Sequence, residues 1–455
     1  MDIDKQLELE YKEAKKWLED NPTIDRIEVV ICDINGIFRG KSIPISKLDS
    51  VYQRKMRMPL STFYFDVWGN DVTRISYASG DLDGICLPSN LGLMPKVWNS
   101  IPSSLLMVTL TNEEGVPSFY DPRNALVSVV QKYQELQLTP VVAFEMEFYL
   151  TNPNSEFASP PTPEGHSKPL QFTNSYSMDE LEIFDTFMDE VIVAAEGMRL
   201  PTENILSECG CGQFEINLVH QSDAVRAADD ALLLKQIIRG IARKHGYRAT
   251  FMAKPYLEQS GSGMHMHYSL IDNQGKNIFD DGTDKGTQEL LYALGGMCKV
   301  MGEYTLFCAP NINSYRRLRH GELCPKNISW GYDNRTVALR IPSGPPVSRR
   351  IEFRLPGADA NPYLVAATSL GSALYGLTKK IDPPKPITGN AYMANAPEIP
   401  QDWATSIETL EKGTRLKDII DPKLIKIFLD CKNQEYDVFS TKINQFEYST
   451  YLDML

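Results

Sequence analysis

Between residues 2 and 19, Leu7, Tyr11, Ala14 and Leu18 recur three and four positions apart, which predicts an amphipathic helix stopped by Asp20-Asn21-Pro22. From Ile24 to about residue 112 the apolar runs shorten and are broken by Asn35-Gly36 and Gly40, the pattern of strands joined by tight turns. Asp121 then supplies a helix cap and Pro122 a first-turn residue ahead of an amphipathic run. This change of period predicts an amino-terminal domain over 1–115 and a larger domain over 116–455. Within the second, helical spacing returns over about 179–198, 222–245, 286–307 and 361–378, the last opening with Asn361-Pro362. Short alternating strands lie between them, so the fold class is α+β. "PPTPEG" and "GPPVSRR" read as loops, and the chain shows no internal repeat.

Four of the alternating segments share one kind of polar face. Side chains along a strand point to opposite sides in turn. In "VVAFEMEFYL", Glu145 and Glu147 oppose Phe144, Met146 and Phe148; in "GQFEINL", Gln213, Glu215 and Asn217 oppose Phe214, Ile216 and Leu218. In "GMHMHYSL", His265, His267 and Ser269 oppose Met264, Met266 and Tyr268; in "RRIEFRL", Arg350, Glu352 and Arg354 oppose Ile351, Phe353 and Leu355. One such strand is ordinary solvated surface. Four of them carrying carboxylate, imidazole and guanidinium instead of lysine and threonine point to a shared cavity. Glu145, Glu147, Glu208, Glu215 and Glu352 would repel one another there without counter-charge, and divalent cations are the natural remedy. Oxygen-rich ligands with one imidazole favour Mg2+ or Mn2+ over zinc.

Composition narrows the classes. A formal charge of -13 argues against a general binder of nucleic acid or anionic membrane. No apolar run reaches the length of a membrane span and no signal-peptide pattern opens the chain, so a soluble cytoplasmic protein is expected. The eight cysteines have no zinc-finger or redox-pair spacing. The basic residues are local tools: Arg316, Arg317, Arg319, Arg335 and Arg340 cluster in one segment, and arginine suits bidentate capture of carboxylate and phosphate. Walker, protein-kinase and dinucleotide glycine loops are absent.

Taken in order, "FEMEFYL", "GQFEINL", "FMAKPYLEQSGSGMHMHYSL", "NSYRRL", "NRTVALRIP" and "RRIEFRLPGADANPYL" resemble the glutamine synthetase family over nearly the whole chain, closest to its gamma-glutamylpolyamine (gamma-glutamylputrescine) synthetase-like branch. The resemblance implies a small amino-terminal beta-grasp domain, a catalytic domain whose antiparallel sheet forms a funnel, and a homo-oligomer of two stacked hexameric rings with sites between subunits. It implies ATP-dependent ligation in which the gamma-carboxylate of glutamate takes the gamma-phosphoryl group of ATP, and a nitrogen nucleophile then displaces phosphate from the acyl phosphate. Carried over by position, one metal falls to Glu147, Glu208 and Glu215, and the other to Glu145, His265 and Glu352. His267 corresponds to a phosphate-facing histidine. Gly261, Arg317 and Arg354 match the glutamate site, Arg335 and Arg340 the transferring phosphoryl group, and Glu203, Ser269 and Arg350 the nucleotide pocket. Asp66 aligns with an acid that a neighbouring subunit lends to the nitrogen site.

The sequence also departs from the family. Ammonia-using members carry a glutamate at the position of Leu323, where its charge helps bind and deprotonate ammonium. Glu322 is adjacent and would substitute only in part, after a one-residue shift. Ser260 and Val347 replace an expected asparagine and lysine, and Tyr392 lacks the surrounding modification segment. These losses imply a primary amine or polyamine as acceptor, lodged against Tyr64, Phe65, Trp68, Leu323 and Trp330. The competing readings are a glutamine synthetase using ammonia and a catalytically silent relative, against which the intact carboxylate set argues.

Overall fold

The computed structural model describes residues 3–72, 80–321 and 323–455. The first helix spans Ile3–Asp20 and buries Leu7 and Ala14. Behind it, β1 (Arg26–Cys32) and β2 (Phe38–Pro44) form the expected antiparallel hairpin. Its turn passes through Gly36 at φ +75°, a conformation that a side chain resists. With β3 (Arg57–Pro59), β4 (Asp83–Lys96) and β5 (Ser103–Thr111) they make a five-stranded sheet ordered β2-β1-β5-β4-β3, in which β1 and β5 run parallel.

The helix Pro122–Glu135 starts where its cap lies, with Asp121 Oδ1 accepting the Arg123 N–H at 2.8 Å. It leads into the second sheet: β6 (Leu138–Thr151), β7 (Thr202–Ser207), β8 (Gln213–Leu218), β9 (Arg248–Thr250), β10 (Met264–Asp272), β11 (Trp330–Tyr332), β12 (Leu339–Ile341) and β13 (Ile351–Phe353). The order is β11-β12-β13-β10-β6-β8-β7, with β9 paired to β6. The four alternating segments therefore lie side by side as β13-β10-β6-β8. Their apolar faces close on the helices Pro122–Glu135, Ala224–Lys244 and Pro362–Lys379. Phe144, Met146, Phe214, Met266 and Phe353 are all fully buried there, each contributing about 1.5–3 kcal/mol by leaving water. The opposite face is left for chemistry.

Two expectations change in detail. The helix expected over 179–198 is broken into Met178–Ile183 and Asp185–Gly197 at Phe184. That ring is pulled into the core between Phe214 and Tyr247, with ring centroids 5.2 and 5.6 Å away, and the backbone leaves helical geometry to deliver it. "RRIEFRL" is strand only over Ile351–Phe353, so Arg350 and Arg354 flank β13 rather than lie in it. Among the described residues no helix is long and apolar enough to cross a membrane.

Candidate active site

Register decides which groups meet. Pairing of β10 with β6 sets His265 opposite Glu145, and pairing of β6 with β8 sets Glu147 opposite Glu215. On the other side, β13 sets Glu352 opposite His267, and β12 sets Arg340 opposite the same Glu352. Because side chains repeat every two residues, these groups share one face, which forms the wall of a cavity of about 530 Å³.

Its centre is anionic. Glu145 lies 3.2 Å from His265 Nδ1 and 2.9 Å from His267 Nε2. Arg350 Nε lies 3.0 Å from His267 Nδ1. Burial alone would push the Glu145 carboxyl up, but the imidazoles of His267 and His265 hold it well below the usual carboxylate range. Glu147 accepts the Gly263 N–H at 2.8 Å and the Gln213 amide at 3.3 Å. A side chain on Gly263 would strike His265 Nε2 and Arg317 Nη2, each 2.9 Å from where its Cβ would sit. Glu215 is pushed up to about 10, first by burial and then by Glu145, Glu147 and Glu208. Glu208 is pushed up to about 7 by burial and by Glu147.

A guanidinium frame surrounds these carboxylates. Arg354 pairs with Glu352 and also donates to the carbonyls of Arg335 at 3.1 Å and Leu323 at 3.3 Å. Arg340 bridges Glu352 at 2.7 Å and Asp333 at 2.6 Å. Burial raises the Glu352 carboxyl, yet Arg354 and the two imidazoles outweigh it and bring it down to about 2. Arg317 is buried, donating to the carbonyls of Leu355 at 2.8 Å and Arg354 at 3.2 Å, with its stem against Gly261. Arg335 also lines the cavity.

Ligand atoms lie within 4.8 Å of one another in three groups: Glu147-Glu208-Glu215, Glu145-Glu215-His265 and Glu145-His267-Glu352. The first is the set expected from the sequence. The second expected set is distributed over the other two, with Glu352 grouped beside His267 instead of His265. The donor set suits a hard divalent cation, since carboxylates held protonated by mutual repulsion are relieved by positive charge.

The remaining expected residues are dispersed. Glu203 is exposed near the start of β7, and Ser269 lies two residues beyond His267 on the same face. Asp66 is buried and points into its own loop, accepting from the Trp68 and Asn70 N–H groups and from Gln434 at 2.9 Å. Tyr64 packs against Tyr120 at 4.8 Å and Trp68 against Phe439 at 5.5 Å. Trp330 is a core residue whose indole donates to the Pro384 carbonyl at 2.6 Å. Of the proposed amine-pocket residues, only Leu323 lines this cavity, 48% exposed and at φ +53°. Glu322 lies outside the described residues. Tyr176 also lines the cavity, beside Glu208 and Arg335, and was missed because "NSYSMDE" carries no periodic signal. Asp333 was missed too, since its acid reads as a turn residue until Arg340 is seen on it.

A profile of the glutamine synthetase catalytic domain matches residues 119–451. Over 96% of this chain and 93% of the relative, the sequence is 35% identical to gamma-glutamylputrescine synthetase PuuA of Escherichia coli (strain K12). The chain belongs to the glutamine synthetase family. It is also 34% identical to glutamate–isopropylamine ligase of a Pseudomonas species over 95% of this chain and 96% of that one. The ligand-free structure of GmaS superposes with a TM-score of 0.83 at 26% identity, covering 96% of this chain and 98% of that one. As a glutamine synthetase family member the protein is an ATP-dependent ligase, and the family uses ATP with divalent metals. The acidic cavity fits that use.

Proposed function

We propose that this protein joins the gamma-carboxylate of glutamate to a primary amine or polyamine, giving a gamma-glutamylamide, with ATP as phosphoryl donor. The observation that carries the choice of amine over ammonia is Leu323: an apolar side chain in the cavity wall where ammonia-using members hold a carboxylate. The curated names of the two relatives, a putrescine and an isopropylamine ligase, support the same reading.

Glutamate is held by Arg317 and Arg354 over Gly261, its gamma-carboxylate facing the cationic side of the cavity. Arg335 and Arg340 face the transferring phosphoryl group and neutralise charge as it develops between two anions. Glu203, His267, Ser269 and Arg350 border the nucleotide. Two Mg2+ or Mn2+ ions, one on Glu147, Glu208 and Glu215 and one on Glu145, His265 and Glu352, supply Lewis acidity and charge neutralisation when bound. The amine packs against Leu323, with Tyr64, Trp68 and Trp330 as further candidate contacts; in this chain Trp330 is buried in the core. Asp66 is assigned to the nitrogen site of a neighbouring subunit within a dodecamer, working in the cytoplasm. A beta-grasp domain over 1–115 and a catalytic domain over 116–455 agree with one sheet ending at Thr111 and the other starting at Leu138.

The test is steady-state phosphate release with ATP and glutamate across ammonium, putrescine, isopropylamine and ethanolamine. The expected outcome is a preference for an organic amine. Efficient saturation by millimolar ammonium would replace this reading with glutamine synthetase activity.

A further inference from the structure

A second cavity, of about 190 Å³, lies away from the catalytic one, between the β1–β2 turn and the helix Ala224–Lys244. Lys235 and Arg239 reach it from positions one helical turn apart. Lys235 is 5% exposed, and its ammonium donates to the Ala360 carbonyl at 3.0 Å. Both cations approach the ring of Phe251, at 5.7 Å for Lys235 and 5.0 Å for Arg239. Among the described residues neither has a carboxylate within ion-pair distance. Asp359, the acid in the wall, has its Oδ2 taken by Asn311 at 2.8 Å and Ser314 at 2.6 Å.

Asp359 is the one carboxylate among the described residues of the wall and offsets only part of the charge of the two neighbouring cations, so an anion between them is the direct remedy for the remainder. The strain is visible in Lys235, whose ammonium is pushed down to about 7 by burial and then by Arg239. Part of the remaining wall is apolar, including Phe307, Leu364 and Phe428, and Thr250, Asn311 and Asn361 add neutral polar groups. We propose that this cavity binds a small organic carboxylate, its charged end between Lys235 and Arg239 and its short apolar body against Phe307 and Leu364. Inorganic phosphate satisfies the cations but leaves the apolar walls unfilled. Asn35 and Val67 complete the rim, and Asn35 holds the Phe65 carbonyl at 2.9 Å, so an occupant touches the segment that carries Asp66. The cavity shares no lining residue with the substrate cavity.

Butyrate is the probe, titrated calorimetrically into the full-length assembled protein without ATP, glutamate or amine, so the result does not depend on the reaction. Arg354→Ala, in the catalytic cavity, should bind butyrate as the wild type does. Arg239→Gln, at a half-buried position, should bind it about tenfold more weakly or worse, the loss of one charge-assisted contact, and Arg239→Lys should recover part of it. Lys235→Met should weaken it in the same direction. Equal affinity in wild type and Arg239→Gln, no butyrate binding by wild type, or loss confined to Arg354→Ala would each overturn the proposal.

Discussion

Replacing Glu215 with glutamine should stabilise the protein in the absence of divalent metal while reducing the response to metal. The carboxyl is buried among Glu145, Glu147 and Glu208 and is pushed up from its ordinary 4.5 to about 10. Its folded-state value is raised, so the folded state holds the proton more tightly than the unfolded chain. Stability from this group is therefore greatest below pH 4.5 and falls as pH rises toward 10. At about 1.36 kcal/mol per pH unit, the handicap near pH 8 is about 5 kcal/mol, and sharing of protons among neighbouring carboxylates brings the expected gain to about 2–5 kcal/mol. Glutamine keeps the shape and removes the titration. Urea unfolding in chelator at pH 6 and pH 8 is the assay: wild type should lose stability between the two, Glu215→Gln should lose less, and added Mg2+ should stabilise the wild type more than the variant. A Glu215→Gln protein less stable than wild type in chelator at pH 8 would refute the claim that this carboxylate is held against repulsion.

Three further outcomes are expected. Leu323→Glu should move the ratio of ammonium to amine kcat/KM at least about tenfold toward ammonium, the worth of one charge-assisted contact, and an unchanged ratio would remove Leu323 as selector. His265→Ala and Glu352→Gln should each lower phosphate release by about 10²–10³-fold while size-exclusion profiles stay those of the wild type. Lys432→Met should lower the urea midpoint by an amount equivalent to about 3–5 kcal/mol, because Lys432 and Glu435 form an ion pair with each side chain 1% exposed; a Lys432→Met, Glu435→Leu double variant should recover most of it.

The parts of this site legible from sequence were those governed by local geometry. Strand alternation has a period of two whatever the partner, so the polar faces of β6, β8 and β10 could be read directly and proved to line one cavity. Helix starts were equally local: Asp121-Pro122 and Asn361-Pro362 each bring a cap and a pre-set φ within two residues. The break at Phe184 was not legible, because it depends on a pocket made by Phe214 and Tyr247 far along the chain.

The roles of His265 and His267 show where local reading stops. Their spacing puts both on the same face and can say nothing more. Strand pairing then separates them: His265 is set opposite Glu145 on one neighbour, His267 opposite Glu352 on the other, and only His267 meets the Arg350 guanidinium. Asp66 makes the same point in reverse. An acid in a glycine-containing loop reads as available chemistry, yet its oxygens are engaged by its own loop's N–H groups and by Gln434, 368 residues away in the chain. A carboxylate so held keeps the shape of its loop first, and its contribution to a neighbouring subunit's nitrogen site would have to come from that shape or from release of the Gln434 bond. Gln434→Leu separates the two: a fall in kcat with unchanged amine KM follows if the bond aims the loop, and higher activity follows if the bond restrains Asp66.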